Sequence, residues 1–178
     1  MKFGMQAMSH PLVYLRPTRI TYVRVTGPYE TSIPQAWEKM FAWIDKNGLS
    51  SPVGHGFGLA RDNPKIVDPK NCRYDACIEM KPHFEERAIR ELGGLMIPGG
   101  SYCRLRRVGD YNLLRTEVAS LHQTFEAPAG LQLDDKRPLV TIYLEDPRRA
   151  EEGYLRADHC VPVTAATQRG KGSSQAAA

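Results

Sequence analysis

The side chains best suited to chemistry in this sequence sit on short strand-like stretches: Tyr22 and Arg24, Cys77 and Glu79, Arg104 and Arg106, Thr141 and Tyr143, and Cys160. Side chains alternate between the two faces of a strand. If Val23, Val25, Leu105, Ile142 and Leu144 face a core, then Tyr22, Arg24, Arg104, Arg106, Thr141 and Tyr143 share the other face. In the same way Ile78, Met80, Val161 and Val163, if inward, send Cys77, Glu79 and Cys160 to that outer face. The expected binding set is therefore Tyr22, Glu79, Thr141, Tyr143, Arg104 and Cys160. Tyrosines suit a pocket wall because an aromatic body carries a polar tip. A carboxylate in a partly dry groove is a counter-charge for a cation or an acid–base group. A plainer reading stands beside each: Glu79 as a solvated carboxylate paired with Arg24, Arg104 or Arg106, and the thiols as inert small fillers.

Other chemistries find little support. The four cysteines, Cys72, Cys77, Cys103 and Cys160, form no C-x-x-C, and the five histidines are scattered. No metal site and no cofactor are expected from that spacing. Gly54, Gly56 and Gly58 lead into a strand rather than a helix, so the anion-binding end of a P-loop helix is missing. No nucleophile-elbow sequence presents a serine. The net charge of +4 is mild, with Arg104, Arg106 and Arg107 as the tightest basic cluster. No long basic tract or helix-turn-helix pattern argues for direct, sequence-specific nucleic-acid binding. No apolar run approaches the ~20 residues that span a bilayer. Met1 to Pro11 lacks the layout of a signal peptide, so a cytoplasmic protein without a membrane partner is expected.

These residues must be held by elements that occur twice. Gly27 and Tyr29 return as Gly109 and Tyr111, and Trp43, Gly48 and Leu49 as Phe125, Gly130 and Leu131, at an offset of 82 residues. Asp62-Asn63-Pro64 returns as Glu145-Asp146-Pro147, and Arg73, Asp75 and Cys77 as Arg156, Asp158 and Cys160, at an offset of 83. In each half a β-branched strand stops at glycine, an amphipathic helix follows, and two short strands close the unit. The first half has strands over Ile20 to Val25, Phe57 to Ala60 and Tyr74 to Met80. Its helix runs from a Ser32 cap to Asn47, with Trp37 and Trp43 on the core stripe. The second half has strands over Ser101 to Val108, Val140 to Leu144 and His159 to Val163, and a helix through Leu114 to Phe125. The fold class is thus α+β, a curved antiparallel sheet with two helices on one face and a ligand groove between the halves.

The ordered set Val23-Arg24-Val25-Thr26-Gly27-Pro28-Tyr29, Trp37, Trp43, Asp62-Asn63-Pro64 and Arg73-Tyr74-Asp75-Ala76-Cys77 resembles the first half of a known family. Ile97-Pro98-Gly99-Gly100, Gly109, Tyr111, Arg137-Pro138, Ile142-Tyr143-Leu144, Asp146-Pro147 and Val161-Pro162-Val163 resemble its second half. The family is the GyrI-like small-molecule-binding domain, found also as the effector domain of AraC-type regulators such as Rob and of the BmrR multidrug sensor. The resemblance covers 12–163, as repeat one over 12–81, a connector over 82–94 and repeat two over 95–163; 1–11 and 164–178 are expected to be disordered ends. It implies a stand-alone binder that senses or sequesters bulky aromatic or amphipathic ligands. The alternatives it implies are a cyclopropanoid-type genotoxin hydrolase, with Glu79 and Tyr143 as working groups, and a protein-partner role such as gyrase inhibition. The non-catalytic reading is favoured over the hydrolase, because this sequence departs at two places. Thr141 stands where relatives commonly carry a groove Glu, and Cys160 where they commonly carry Tyr.

Overall fold

The computed structural model describes residues 10–49, 55–146, 148–149, 151 and 154–167. Nine strands and three α-helices follow one another among them. Strand β1 is Leu12–Leu15 and β2 is Thr18–Thr26, followed by helix α1, Tyr29–Lys46. Strands β3, Gly56–Ala60, and β4, Arg73–Glu79, complete the first half. Helix α2, Glu85–Glu91, and β5, Gly94–Ile97, form the connector. The second half is β6, Gly100–Gly109, α3, Tyr111–Thr124, β7, Leu131–Leu133, β8, Leu139–Tyr143, and β9, Leu155–Ala165. The sheet order is β1-β6-β9-β8-β3-β4-β2-β5, with β7 added on β9, and every pairing is antiparallel. Strands β3 and β8 meet at the centre, so the two halves are joined edge to edge.

Element ends follow local chemistry. Helix α1 begins three residues before the expected Ser32 cap, directly after Pro28, and Ser32 is a buried residue of its first turns. Gly48, at φ 64°, closes its far end in the left-handed conformation that glycine adopts without penalty. Asp110 caps α3 by accepting from the Leu113 N–H. The connector carries a two-turn helix, and the tail expected to be disordered from 164 begins as ordered strand, with β9 continuing through Thr164 and Ala165. Residues 1–9 and 168–178 of the ends expected to be disordered lie outside the described residues.

The internal repeat is written in ion pairs as well as in backbone. Arg24 grips Asp75 through two bonds of 2.7 and 2.9 Å, and Arg106 grips Asp158 through two of 2.8 and 2.9 Å. Arg73 pairs with Asp62 at 2.7 Å, and Arg156 with Glu145 at 2.7 Å. Planar guanidinium–carboxylate forks fix geometry as well as charge, so the same clamps set the same strand spacing in both halves.

Both faces of the sheet are covered. All three helices pack on one face, where Trp37, Met40, Ile44, Phe84, Ala88, Leu114, Val118 and Leu121 meet Tyr74, Ala76, Ile78, Leu105 and Val161. The other face closes on itself. Ile20 of β2 and Ile97 of β5 join Tyr102 of β6 in one cluster with Phe57, Leu59, Cys77, Val140 and Cys160 of the central strands. Strands from opposite ends of the sheet can share a cluster only if the sheet curls into a half-barrel, the consequence of accumulated strand twist. The face opposite the helices is therefore a second core.

One register expectation is overturned. Tyr143 belongs to the helix-side core and Ile142 packs on the opposite face, the reverse of the expected alternation in β8. A one-residue slip exchanges every side chain of a strand. Because β8 is buried on both faces, Leu139, Val140 and Ile142 give no polar–apolar contrast from which to read its parity.

Candidate functional site

On the helix face, at the seam of the halves, β3 presents small residues and β8 large ones. Gly56 lies opposite Tyr143, Gly58 opposite Thr141 and Ala60 opposite Leu139. A Cβ on Gly58 would sit 2.1 Å from the Tyr74 hydroxyl oxygen, and one on Gly56 3.0 Å from the Trp37 ring. The two glycines thus clear one face of β3 so that rings from α1, β4 and β8 can lie across it.

Those rings form a continuous cluster. Trp37 packs edge-on against Tyr143, centroids 5.2 Å apart at 87°, and against Phe41 at 5.3 Å. Tyr111, at the start of α3, stands 6.3 Å from Tyr143. The Trp37 indole N–H donates to the Tyr74 hydroxyl at 3.0 Å. The Tyr111 hydroxyl is buried without a hydrogen-bond partner among the described residues, and the buried Tyr143 hydroxyl lies beside the Tyr74 hydroxyl and the Trp37 indole without forming a well-aligned bond to either. An unpaired buried hydroxyl costs roughly 1–3 kcal/mol, so two of them in one aromatic cluster call for an explanation. Burial pushes the Tyr143 phenol up to about 12 and raises Tyr111 and Tyr74 as well. All three stay protonated near neutral pH and can donate hydrogen bonds.

Next to the rings lies a polar chain. The Thr141 hydroxyl meets Nδ1 of His159 at 3.0 Å, and His159 is fully buried. Its Nε2 faces Glu117 of α3 at 3.6 Å, beyond hydrogen-bond reach, and Glu117 accepts from Arg107 at 2.6 Å. The His159 ring and the Arg107 guanidinium hold the Glu117 carboxyl below the usual carboxylate range, against its partial burial. At the rim Arg115 lies over Tyr111 at 5.8 Å, and Arg148 over Phe41 at 4.5 Å. Arg148 is matched by Asp45 at 2.8 Å and Asp146 at 3.0 Å.

The six residues expected to form one binding set are divided by the sheet. Thr141 and Tyr143 lie under the helices, two residues apart on one face of β8. Tyr22 and Cys160 belong to the opposite core, where burial pushes the Cys160 thiol up to about 12. Arg104 is the register partner of Cys160 on that opposite face. Glu79 follows Cys77 on the same opposite face and pairs with Lys81 at 2.9 Å. Glu79 and Tyr143 therefore do not share a cavity, and the pairing on which the hydrolase alternative was built is absent. Nor do Arg24 and Arg106 serve Glu79, since Asp75 and Asp158 hold them. The strand reading missed Tyr74, Tyr111, Phe41, His159 and Glu117 and set Trp37 aside as core. The usable signal was the Gly56-x-Gly58 spacing, which empties one face of a strand, beside aromatics with small repeat counterparts: Ala119 for Trp37 and Ala157 for Tyr74.

The four cysteines are free and buried, and no group of three or more potential metal ligands exists among the described residues. No helix among them is long and apolar enough to cross a membrane.

Comparison with known proteins places this geometry in a family. The GyrI-like small molecule binding domain matches residues 8–166. The DNA gyrase inhibitor of Edwardsiella ictaluri (strain 93-146) is 30% identical over 158 residues, covering 85% of this chain and 96% of the relative. That of Cronobacter sakazakii (strain ATCC BAA-894) is 25% identical over 158 residues, covering 88% and 97%. Among solved structures, the EcmrR C-terminal domain superposes with a TM-score of 0.59 at 17% identity, over 88% of this chain and 97% of its own. SAV2435 bound to tetraphenylphosphonium superposes with a TM-score of 0.58 at 12% identity, over 88% and 94%. The chain belongs to the GyrI-like small-molecule-binding family.

Proposed function

We propose, with membership of the GyrI-like family as the premise, that this protein binds a small aromatic molecule at the seam between α1 and α3. Trp37, Phe41, Tyr111 and Tyr143 would hold its rings, and Thr141 would border its polar end. The observation that carries this reading is the pair of buried, unpartnered phenol hydroxyls, Tyr111 and Tyr143, in one aromatic cluster. Binding sites are mostly apolar with a few convergent polar groups, and this seam has that make-up. Trp37 and Tyr143 are only 4% and 3% exposed, so a ligand enters by displacing rings or parting the two helices. Sensing follows from the same requirement, because a ligand that needs the parted arrangement shifts the population toward it.

The test is a thermal-shift and tryptophan-fluorescence screen over planar and bulky aromatics, repeated on the Tyr111→Phe/Tyr143→Phe double variant. A ligand of the native state raises the melting temperature, by an amount set by its concentration over Kd. The expected result is a hit that also changes Trp37 emission and is weakened about tenfold or more in the double variant. Hits that bind the double variant unchanged would move the site elsewhere.

A second reading is supported by the relatives called DNA gyrase inhibitor. On that reading the protein acts on a large partner, and adding it to a gyrase supercoiling assay would lower the rate in proportion to its concentration. An unchanged rate at micromolar protein would dismiss it.

A further inference from the structure

The charges around the seam define which class of aromatic it takes. On β8 the side chain facing the seam beside Tyr143 is Thr141, which is fully buried and spends its hydroxyl on His159 at 3.0 Å. It offers no negative charge. The nearest carboxylate, Glu117, is engaged by Arg107 at 2.6 Å and turned toward His159. On the α1 flank Asp45 and Asp146 are both occupied by Arg148. Each of these three carboxylates is thus already matched by an arginine.

Arg115 differs from those arginines. It is half-buried on α3, 5.8 Å over the Tyr111 ring, with no ion pair or side-chain hydrogen bond among the described residues. Its guanidinium is thus a positive charge at the mouth without a carboxylate partner among the described residues. The unpartnered groups inside are Tyr111 and Tyr143 hydroxyls and Nε2 of His159. A protonated phenol can donate a hydrogen bond, so both tyrosines can present donors to whatever fills the seam. Donors plus a cation call for an acceptor with negative charge.

We infer that the seam selects an aromatic anion of the aryl carboxylate type, whose carboxylate meets Arg115 and the two phenols, over an organic cation of the same shape. This rests on the reading that the seam is the ligand site. The preference is electrostatic, and a partly dry site strengthens it relative to water.

Isothermal titration at fixed ionic strength with biphenyl-4-carboxylate, neutral 4-hydroxybiphenyl and 4-(aminomethyl)biphenyl, a cation at neutral pH, tests both layers separately. Wild type should bind the carboxylate about tenfold or more tighter than the amine, with the phenol between them. Arg115→Gln should remove most of that preference by lowering carboxylate affinity far more than phenol affinity, and Arg115→Lys should restore it. Because Arg115 makes no ion pair among the described residues and only a ring contact with Tyr111, melting curves of both variants should stay within a few degrees of wild type. Tightest binding of the amine, or equal losses for all three probes in Arg115→Gln, overturns the charge assignment and leaves the seam reading standing. Failure of all three probes to bind wild type overturns both.

Discussion

Half one holds Asp75 between Arg24 and Arg61, and half two holds Asp158 against Arg106 alone. Half one carries Tyr74, Gly58 and Ala76 where half two carries Ala157, Thr141 and His159. The two contrasts differ in kind. The ion pairs are the same device with one arm missing, because Leu144 stands where Arg61 would be repeated. The helix-face positions are opposites, a large ring in one half against a small residue in the other. A duplicated fold that retained its symmetry throughout would present two equal half-sites. Here the clamps that fix strand spacing stay paired, while the residues over the central seam have diverged into one asymmetric cluster. The proposed binding chemistry sits where the repeat is broken.

The largest test of that division is Trp37→Ala. Half two has Ala119 at the equivalent position and packs around it, whereas half one has built its cluster on the indole. Equilibrium unfolding in urea should show a loss of about 3–5 kcal/mol. A loss near zero would mean that half one can repack like half two. Next comes Asp75→Asn, which leaves two arginines without their carboxylate at a fully buried position. A loss of about 2–3 kcal/mol is expected, and a smaller one for Asp158→Asn, whose single partner is half exposed. Equal losses would erase the distinction between the two clamps.

Acid sensitivity has one contributor in half one that a single substitution isolates. Arg73 holds the Asp62 carboxyl below its ordinary value. A carboxyl depressed in the folded state stabilises it fully above the unfolded value near 4 and loses that contribution as pH falls through the folded value. Stability should therefore drop more steeply between about pH 5 and pH 2 in wild type than in Asp62→Asn, by on the order of 1 kcal/mol given the partial exposure of Arg73. Parallel acid limbs would refute it. The smallest and most diagnostic pair is Tyr74→Phe against Tyr143→Phe. Removing the Tyr74 hydroxyl strands the Trp37 indole N–H and should cost about 1 kcal/mol. Removing the unpartnered Tyr143 hydroxyl should cost nothing or stabilise slightly. A clear loss for Tyr143→Phe would show that its hydroxyl is satisfied in solution.

The repeat offsets, the glycine stops and the helical stripes place the six main strands and both long helices within a few residues, because each carries its own periodicity. Strands β1, β5 and β7 escape detection, being three or four residues long and stabilised by partners far away in sequence. The site was half legible. Thr141 and Tyr143 were picked out, but a strand buried on both sides gave no sign of its parity. Tyr22, Cys160 and Arg104 were assigned to a groove on the face that the curled sheet fills for itself. That curl is a collective product of strand twist, and no local pattern of residues announces it.

The strand order also has a temporal consequence. Leu12 of β1 pairs with Cys103 of β6, so β1 waits about 90 residues for its partner. Gly56 of β3 likewise waits for Tyr143 of β8. At ordinary translation speeds each delay lasts on the order of 5–20 s. Through that interval β3, destined for the centre of the sheet, is an unpaired edge beside a glycine-cleared aromatic surface. Such edges invite pairing with other chains. A ribosome-bound first half thus carries an open edge on β3, and the emergence of β8 is the event that covers it.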